Sequence, residues 1–212
     1  MALRAVIFDY GMVLSGPPHN EILAELVRRI GLPPAEAEAL YIRYRHDYDK
    51  GTLTGLEYWR RIFADAGLPP DEARIAETAQ LDAAMWTGTN PLMLAWQQSL
   101  KQHGIKTAIL SNMGDVVLAN MKRTLPWLDE FDVQVWSYML KTAKPDPAIY
   151  RHALAELGVE AGEALFVDDM AANVEAARAL GLASVQYTSV AQLRADLATL
   201  GLEADLPLPK LL

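Results

Sequence analysis

Three short apolar runs in this chain each stop at residues with reactive or hydrogen-bonding side chains. Ala5-Val-Ile-Phe8 runs into Asp9, Lys106-Thr-Ala-Ile-Leu110 into Ser111-Asn112, and Ala164-Leu-Phe-Val167 into Asp168-Asp169. Runs this short and rich in β-branched residues predict buried strands that deliver a polar residue at the carboxyl end. Leu182–Tyr187 reads as a fourth strand, and helical patterns occupy about 91–102, 115–123, 148–157 and 171–180. Strands alternating with helices predict a doubly wound parallel sheet. Ligands bind outside the carboxyl ends of such strands, where these polar residues gather.

The stretch from about Ile22 to Trp86 has another character. Ile22, Leu23, Leu26, Val27 and Ile30 stand at helical spacing, and Leu32-Pro-Pro and Leu68-Pro-Pro each precede an acidic, alanine-rich segment. This pattern predicts a helix-only insertion of four or five helices, bracketed by Gly16-Pro17-Pro18 and Thr87-Gly88-Thr89-Asn90-Pro91. The expected organisation is an α/β, Rossmann-like parallel-sheet core from residues 1–15 and 88–212, with an inserted all-helical cap subdomain at 16–87. Leaving directly after the first strand, the insertion would overhang the carboxyl edge.

Composition narrows the function. The 27 Asp+Glu against 19 Lys+Arg give a formal charge of −8, which disfavours phosphate backbones and anionic membrane surfaces. The absence of cysteine excludes disulfide scaffolds, thiolate zinc sites and cysteine nucleophiles. No stretch approaches the roughly 20 apolar residues of a membrane span, and the first apolar run is too short for a secretory signal. A soluble, cytoplasmic protein with a small-molecule substrate is expected, with no nucleic-acid or membrane partner. The apolar, Pro-rich tail Asp205–Leu212 either packs along the core or meets another subunit as a homodimer.

A single acid after a buried strand is ordinarily a turn or N-cap residue. Carboxylates brought together from separate strands would repel one another unless a cation sat between them, and hard oxygen ligands suit Mg²⁺. Lys144, in Lys144-Pro-Asp-Pro-Ala-Ile-Tyr150, is either a solvated lysine before a helix capped by Asp146 or an ammonium aimed back at the strand ends. In the second case it would neutralise a phosphoryl oxygen beside a metal, the division of labour that phosphoryl transfer needs.

These residues resemble the haloacid dehalogenase superfamily. Phe8-Asp9-Tyr10-Gly11-Met12-Val13-Leu14 is similar to its first motif, Leu110-Ser111-Asn112 to its second, Lys144-Pro145 to its third, and Phe166-Val167-Asp168-Asp169 followed by Asn173 to its fourth. The motifs stand in order across the core, with the insertion between the first and second as in helical-cap members. The resemblance implies that Asp9 is a nucleophile forming an aspartyl-phosphate, that Ser111 and Asn112 hydrogen-bond the phosphoryl group, and that Lys144 steadies both. It implies Mg²⁺ ligation by Asp9, the Gly11 carbonyl and Asp169, with Asp168 as a second ligand or a supporting acid and Asn173 closing the metal's water network. Tyr10, next to the nucleophile, would sit in the crevice and close over a small phosphorylated substrate.

Gly11 departs from the superfamily's phosphatase pattern, which has an aspartate there to protonate the leaving oxygen. A general acid is worth about 10² to 10⁴ in rate, or roughly 3 to 5 kcal/mol of barrier. One reading is a substrate with an acidic leaving group, such as a sugar 1-phosphate or an aryl phosphate. This agrees with the resemblance, since a glucose-1-phosphatase-like branch also shows Asp-x-Gly-x-Val; the core further resembles the N-terminal phosphatase domain of soluble epoxide hydrolases. A second reading draws the acid from the insertion, with His19, His46 or Asp47 as candidates. A third is 2-haloacid dehalogenation, against which Asp168 and Asp169 stand. A fourth is a catalytically impaired binding protein, against which the retained Asp9, Ser111, Lys144 and Asp169 stand. Within the insertion, Trp59 reads as a core residue packing against Tyr58 or Phe63. Arg43 and Arg45 read either as a charged helix face or as recognition groups for an anionic substrate tail.

Overall fold

The computed structural model describes residues 3–208. Strands β1 (Ala5–Phe8), β2 (Lys106–Ser111), β3 (Val133–Trp136), β4 (Ala164–Asp168) and β5 (Ala183–Gln186) form one all-parallel sheet in the order β3-β2-β1-β4-β5. β1 is central and buried throughout, so its sequence carries no polar alternation. Its side chains still divide by period two: Val6 and Phe8 enter the core on one face, Ala5 and Ile7 the core on the other. The register pairs Phe8 with Ile109 and with Val167. Asp9, one residue on, therefore stands level with Asp168, and its N–H donates to Val167 O at 2.8 Å.

β3 is a strand the sequence reading does not predict. It lies at the sheet edge, only four residues long, and Gln134 interrupts its apolar character by donating a side-chain hydrogen bond to Leu128 O at 2.7 Å. An edge strand buried at one end only leaves little hydrophobic signal.

Five helices separate β1 from the rest of the core: α1 (Asn20–Ile30), α2 (Pro34–Arg43), α3 (Arg45–Lys50), α4 (Gly55–Asp65) and α5 (Glu72–Ala84). Gly31, at φ 76°, ends α1, and Thr54 with Glu57 forms a capping box on α4. Trp59 is wholly buried among them, its ring 5.4 Å from Tyr58 and 6.0 Å from Phe63. The sheet is then covered by α6 (Pro91–Gln102), α7 (Asp115–Thr124), α8 (Ser137–Leu140), α9 (Pro147–Leu157), α10 (Ala171–Ala179) and α11 (Val190–Thr199). Among the described residues, no helix is long and apolar enough to cross a membrane. In the tail, Leu206 is wholly buried in the core; residues 209–212 lie outside the described residues.

The helical insert is fastened to the core rather than tethered beside it. Gly55 N–H donates to Asp115 Oδ1 (2.8 Å), Lys141 Nζ to Gly51 O (2.6 Å), Asn120 Nδ2 to Ala83 O (3.1 Å), and Ser137 Oγ to Asp49 O. The Tyr48 ring rests on Gly114, where a Cβ would fall 2.1 Å from a ring carbon. Only glycine permits that approach. Gly114→Ala is expected to lift Tyr48 and cost about 1–3 kcal/mol of stability; an unchanged denaturation midpoint would contradict this packing.

Candidate active site

A cavity of about 360 Å³ lies between the carboxyl edge of the sheet and the insert. Of the residues singled out in the sequence, Asp9, Gly11, Arg45, Ser111, Asn112, Lys144, Asp169 and Asn173 line it. Lys144 is the hub beneath them. Its Nζ lies 2.8 Å from Asp9 Oδ1 and 2.6 Å from Asp168 Oδ2, and only 3% of the residue is exposed. A buried lysine so placed is no solvated helix-start residue. Burial opposes its charge, yet the Asp9 and Asp168 carboxylates hold its pKa above the ordinary lysine value.

Each partner is fixed by its own bonds. Asn112 clamps the lysine backbone from both sides, Oδ1 accepting from Lys144 N (2.8 Å) and Nδ2 donating to Lys144 O (2.9 Å). The Asn112 side chain therefore positions Lys144, a role that the sequence reading did not give it. Asp168, fully buried, accepts from Lys144 Nζ, from Met170 N (2.8 Å) and from Asn173 Nδ2 (3.0 and 3.1 Å). Ser111 Oγ has no hydrogen-bond partner among the described residues, although the residue is only 2% exposed.

Asp9 Oδ1 accepts from Tyr10 N at 2.7 Å as well as from Lys144; Oδ2 has no such partner among the described residues. Burial pushes the Asp9 carboxyl up to about 7, with Lys144 pulling it down and Asp168 and Asp169 adding to the rise. Burial and the Asp168 charge also push Asp169 up. One oxygen from each of Asp9, Asp168 and Asp169 lies within 4.8 Å of the others, a grouping able to hold a metal ion. The fit to a hard divalent cation is good. Asp168 is occupied by lysine and amide donors, whereas Asp9 Oδ2 and the Asp169 carboxylate remain open to a ligand.

Because the raised Asp9 carboxyl resists ionisation in the metal-free fold, it lowers stability most above about pH 7, and this penalty fades as pH falls towards the unfolded value near 4. In chelator, the stability of Asp9→Asn relative to the wild type is therefore expected to be higher at about pH 8 than at about pH 4, with the difference shrinking as pH falls. A relative stability that rose on acidification would contradict the assignment.

Tyr10 is a correction. It is wholly buried, stacked on Trp127 at 6.2 Å, with its hydroxyl donating to Trp86 O, and it does not line the cavity. The chain turns irregularly over Tyr10–Leu14, with Met12 at φ 58°, and it is Met12 that reaches the cavity. His19, His46 and Asp47 are exposed and do not line it either, so the insert does not bring these three to the site. Arg43 is exposed and paired with Asp65 at 2.7 Å.

The sequence reading missed Tyr41, Asp49 and Trp86, which form the opposite wall together with Arg45. Tyr41, Arg45 and Asp49 recur every fourth residue, a stripe at helical spacing that signals a shared face. Arg45 Nε donates to both Asp49 oxygens (2.9 and 3.1 Å) and its Nη1 to Tyr41 Oη (2.7 Å); Tyr41 Oη donates to Asp82 Oδ1 (2.9 Å). Burial pushes the Asp49 and Asp82 carboxyls up, and Arg45 between them opposes it.

A parallel sheet carrying buried carboxylates and a lysine at its carboxyl edge defines a Rossmann-like α/β enzyme. Residues 3–181 match the haloacid dehalogenase-like hydrolase family, and the chain belongs to it. Among curated proteins, it is 29% identical over 219 residues to acyl-CoA dehydrogenase family member 10 of Mus musculus, covering 97% of this chain and 19% of that protein. It is 27% identical over 201 residues to bifunctional epoxide hydrolase 2 of Sus scrofa, covering 87% and 36%. To phosphatase MT3486 of Mycobacterium tuberculosis it is 28% identical over 223 residues, covering 97% and 98%. The chain thus spans about a fifth and about a third of the first two and nearly all of the third. Among solved structures, the HAD family enzyme bt-2542 of Bacteroides thetaiotaomicron, in complex with magnesium and inorganic phosphate, superposes with a TM-score of 0.74 at 22% identity, covering 89% and 96%. An L-2-haloacid dehalogenase of Xanthobacter autotrophicus gives 0.62 at 23%, covering 93% and 83%.

Proposed function

We propose that this hydrolase is a Mg²⁺-dependent phosphomonoesterase that works through an aspartyl-phosphate on Asp9, with residues 16–87 as a cap over the site. The observation that carries the reading is the Asp9–Lys144–Asp168 array, which holds one Asp9 oxygen at 2.8 Å from the ammonium and leaves the other without a partner among the described residues. The phosphatase name of the mycobacterial relative supports it.

In this reading Lys144 and Tyr10 N orient the Asp9 carboxylate, one of whose oxygens attacks phosphorus while the other is left for the metal. The bond from the attacking oxygen to phosphorus forms as the bond from phosphorus to the ester oxygen breaks. The lysine ammonium and the Ser111 hydroxyl stabilise charge on the phosphoryl oxygens. Water then attacks phosphorus, releasing phosphate and restoring the carboxylate. Asp168 and Asn112 act through Lys144, holding its head and its backbone. When bound, Mg²⁺ would be held by Asp9, Asp169 and the Gly11 carbonyl and would reduce repulsion between the anionic nucleophile and the anionic substrate.

With glycine at position 11, no side chain there protonates the leaving oxygen, which favours acidic leaving groups, among them aryl phosphates and sugar 1-phosphates. Rates across aryl phosphates are expected to rise steeply with the acidity of the phenol. The site has room for the missing acid. Gly11 lies at φ −61°, ψ 131°, and an added Cβ would meet nothing nearer than Asp9 Oδ2 at 3.9 Å. Gly11→Asp is expected to raise turnover of alkyl phosphates at least about tenfold relative to aryl phosphates; an unchanged ratio would contradict the role given to the glycine.

The deciding assay is hydrolysis of p-nitrophenyl phosphate with and without Mg²⁺, with 2-chloropropionate run in parallel. Metal-dependent phosphate release supports the proposal. Metal-independent chloride release, or no release from either compound or from a sugar-phosphate panel, overturns it.

A further inference from the structure

The phosphoester chemistry accounts for one wall of the cavity; the facing wall, contributed by α2 and α3, is polar, ordered and unused by it. Arg45 and Asp49 have side chains only 19% and 18% exposed, and both line the cavity with Tyr41 and Trp86. The guanidinium is not a free anion receptor. Its Nε faces Asp49, its Nη1 meets Tyr41 Oη and lies 3.7 Å from Asp82 Oδ1, and Asp82 is itself 1% exposed. One cation thus faces two carboxylates, so the wall has no positive charge to offer a carboxylate or second phosphate.

What remains open on this wall comes in complementary form. Arg45 Nη2 has no hydrogen-bond partner among the described residues, and the Asp49 oxygens accept only from Arg45 Nε. Spare N–H donors stand beside spare carboxylate lone pairs on a pair locked in one geometry. A hydroxyl both donates and accepts, so it satisfies such a pair, whereas an anion satisfies the donors and is repelled by the acceptors. Trp86 and Tyr41 add aromatic surface beside the pair, suited to the C–H faces of a ring. A cavity of about 360 Å³ is in the range of small-ligand sites.

Resting on the phosphomonoesterase reading, we propose that Asp49 and Arg45, braced by Tyr41 and Asp82, are the specificity-determining residues, and that they select a neutral, polyhydroxylated leaving group over one carrying a second negative charge. Asp82 and Tyr41 are positioning residues in this arrangement, since they hold the Arg45 guanidinium and leave Asp49 to accept the substrate hydroxyl.

The test compares kcat/KM for glucose 1-phosphate, p-nitrophenyl phosphate and phosphoglycolate, with Mg²⁺, in the wild type, Asp49→Asn and Arg45→Lys. The wild type should prefer glucose 1-phosphate to phosphoglycolate at least tenfold. Asp49→Asn keeps the shape of the side chain and removes its charge; it should lower the ratio of sugar ester to aryl ester at least tenfold, mainly through KM. Arg45→Lys keeps the charge that Asp82 needs and should move the same ratio in the same direction. Equal losses on sugar and aryl esters, or a wild-type preference for phosphoglycolate, would overturn the proposal. Ligand-induced thermal shift by glucose 1-phosphate separates this from failure of the phosphatase reading. Absence of turnover with a shift in the wild type that shrinks in Asp49→Asn would sink only the catalytic reading. No shift in the wild type, or an equal shift in both proteins, would sink the wall.

Discussion

Asp9→Asn is expected to lower kcat by at least about four decades while the protein remains folded. The amide has the carboxylate's shape, so it can still accept from Tyr10 N and Lys144 Nζ, the two contacts that orient Asp9 Oδ1 at 2.7 and 2.8 Å. What it lacks is the anionic oxygen that bonds to phosphorus. Both displacement steps pass through that oxygen, so no neighbouring residue substitutes for it. Asp168 has both oxygens taken up by Lys144, Met170 N and the Asn173 amide and does not line the cavity, so it cannot stand in for Asp9. The loss should therefore appear in kcat with every phosphate ester tried, whatever its leaving group. Substantial turnover by Asp9→Asn, measured on protein freshly purified to exclude deamidation, would remove Asp9 from the role.

Lys144→Ala is expected to cost about three decades in kcat and about 3–5 kcal/mol of stability, two losses with different causes. The rate falls because the ammonium no longer stabilises charge on the phosphoryl group. Stability falls because Asp9 and Asp168 are left facing each other in a buried space without the cation that both approach within 3 Å. One carboxylate would then hold a proton at neutral pH. Because Lys144 is the main influence lowering the Asp9 pKa against its burial, any residual activity of the variant should rise only at higher pH than in the wild type. This shift separates a role in the chemistry from a merely structural one. Lys144→Met, which refills the volume, should recover part of the stability and none of the rate. A variant that kept near-normal kcat with only a lowered denaturation midpoint would make the lysine a structural counter-ion.

Much of this site was legible because a parallel sheet concentrates information at its strand ends. Asp9, Ser111, Asp168 and Asp169 each follow a buried run directly, so their convergence needed only the strand assignment, and the register that sets Asp9 level with Asp168 follows from β1 and β4 being neighbours. Lys144 was legible through its place on the Pro-containing turn that opens the helix before β4, though its partners were not. Asn112 shows the limit: its position was evident, but that its amide closes on the Lys144 backbone depends on the loop between β3 and α9 folding back towards β2. Tyr10 shows another. An aromatic residue beside a nucleophile reads as a substrate contact until the irregular turn over Tyr10–Leu14 is seen to carry it into the core beside Trp127 and bring Met12 forward. In the insert, helices were clear from spacing, but which helical face looks into the cavity is set by how α3 seats on Gly114 through Tyr48. Nothing in the local sequence ties those two residues together, so Asp49 stayed hidden while the more conspicuous His46 and Asp47 beside it point elsewhere.

The central claim is that hydrolysis proceeds by two displacements, the first on Asp9. The most direct measurement is the stereochemical course of hydrolysis of an isotopically chiral phosphorothioate ester in labelled water. Two in-line displacements through an aspartyl-phosphate predict net retention of configuration at phosphorus. Net inversion would mean that water attacks the ester in a single step, and would contradict the account.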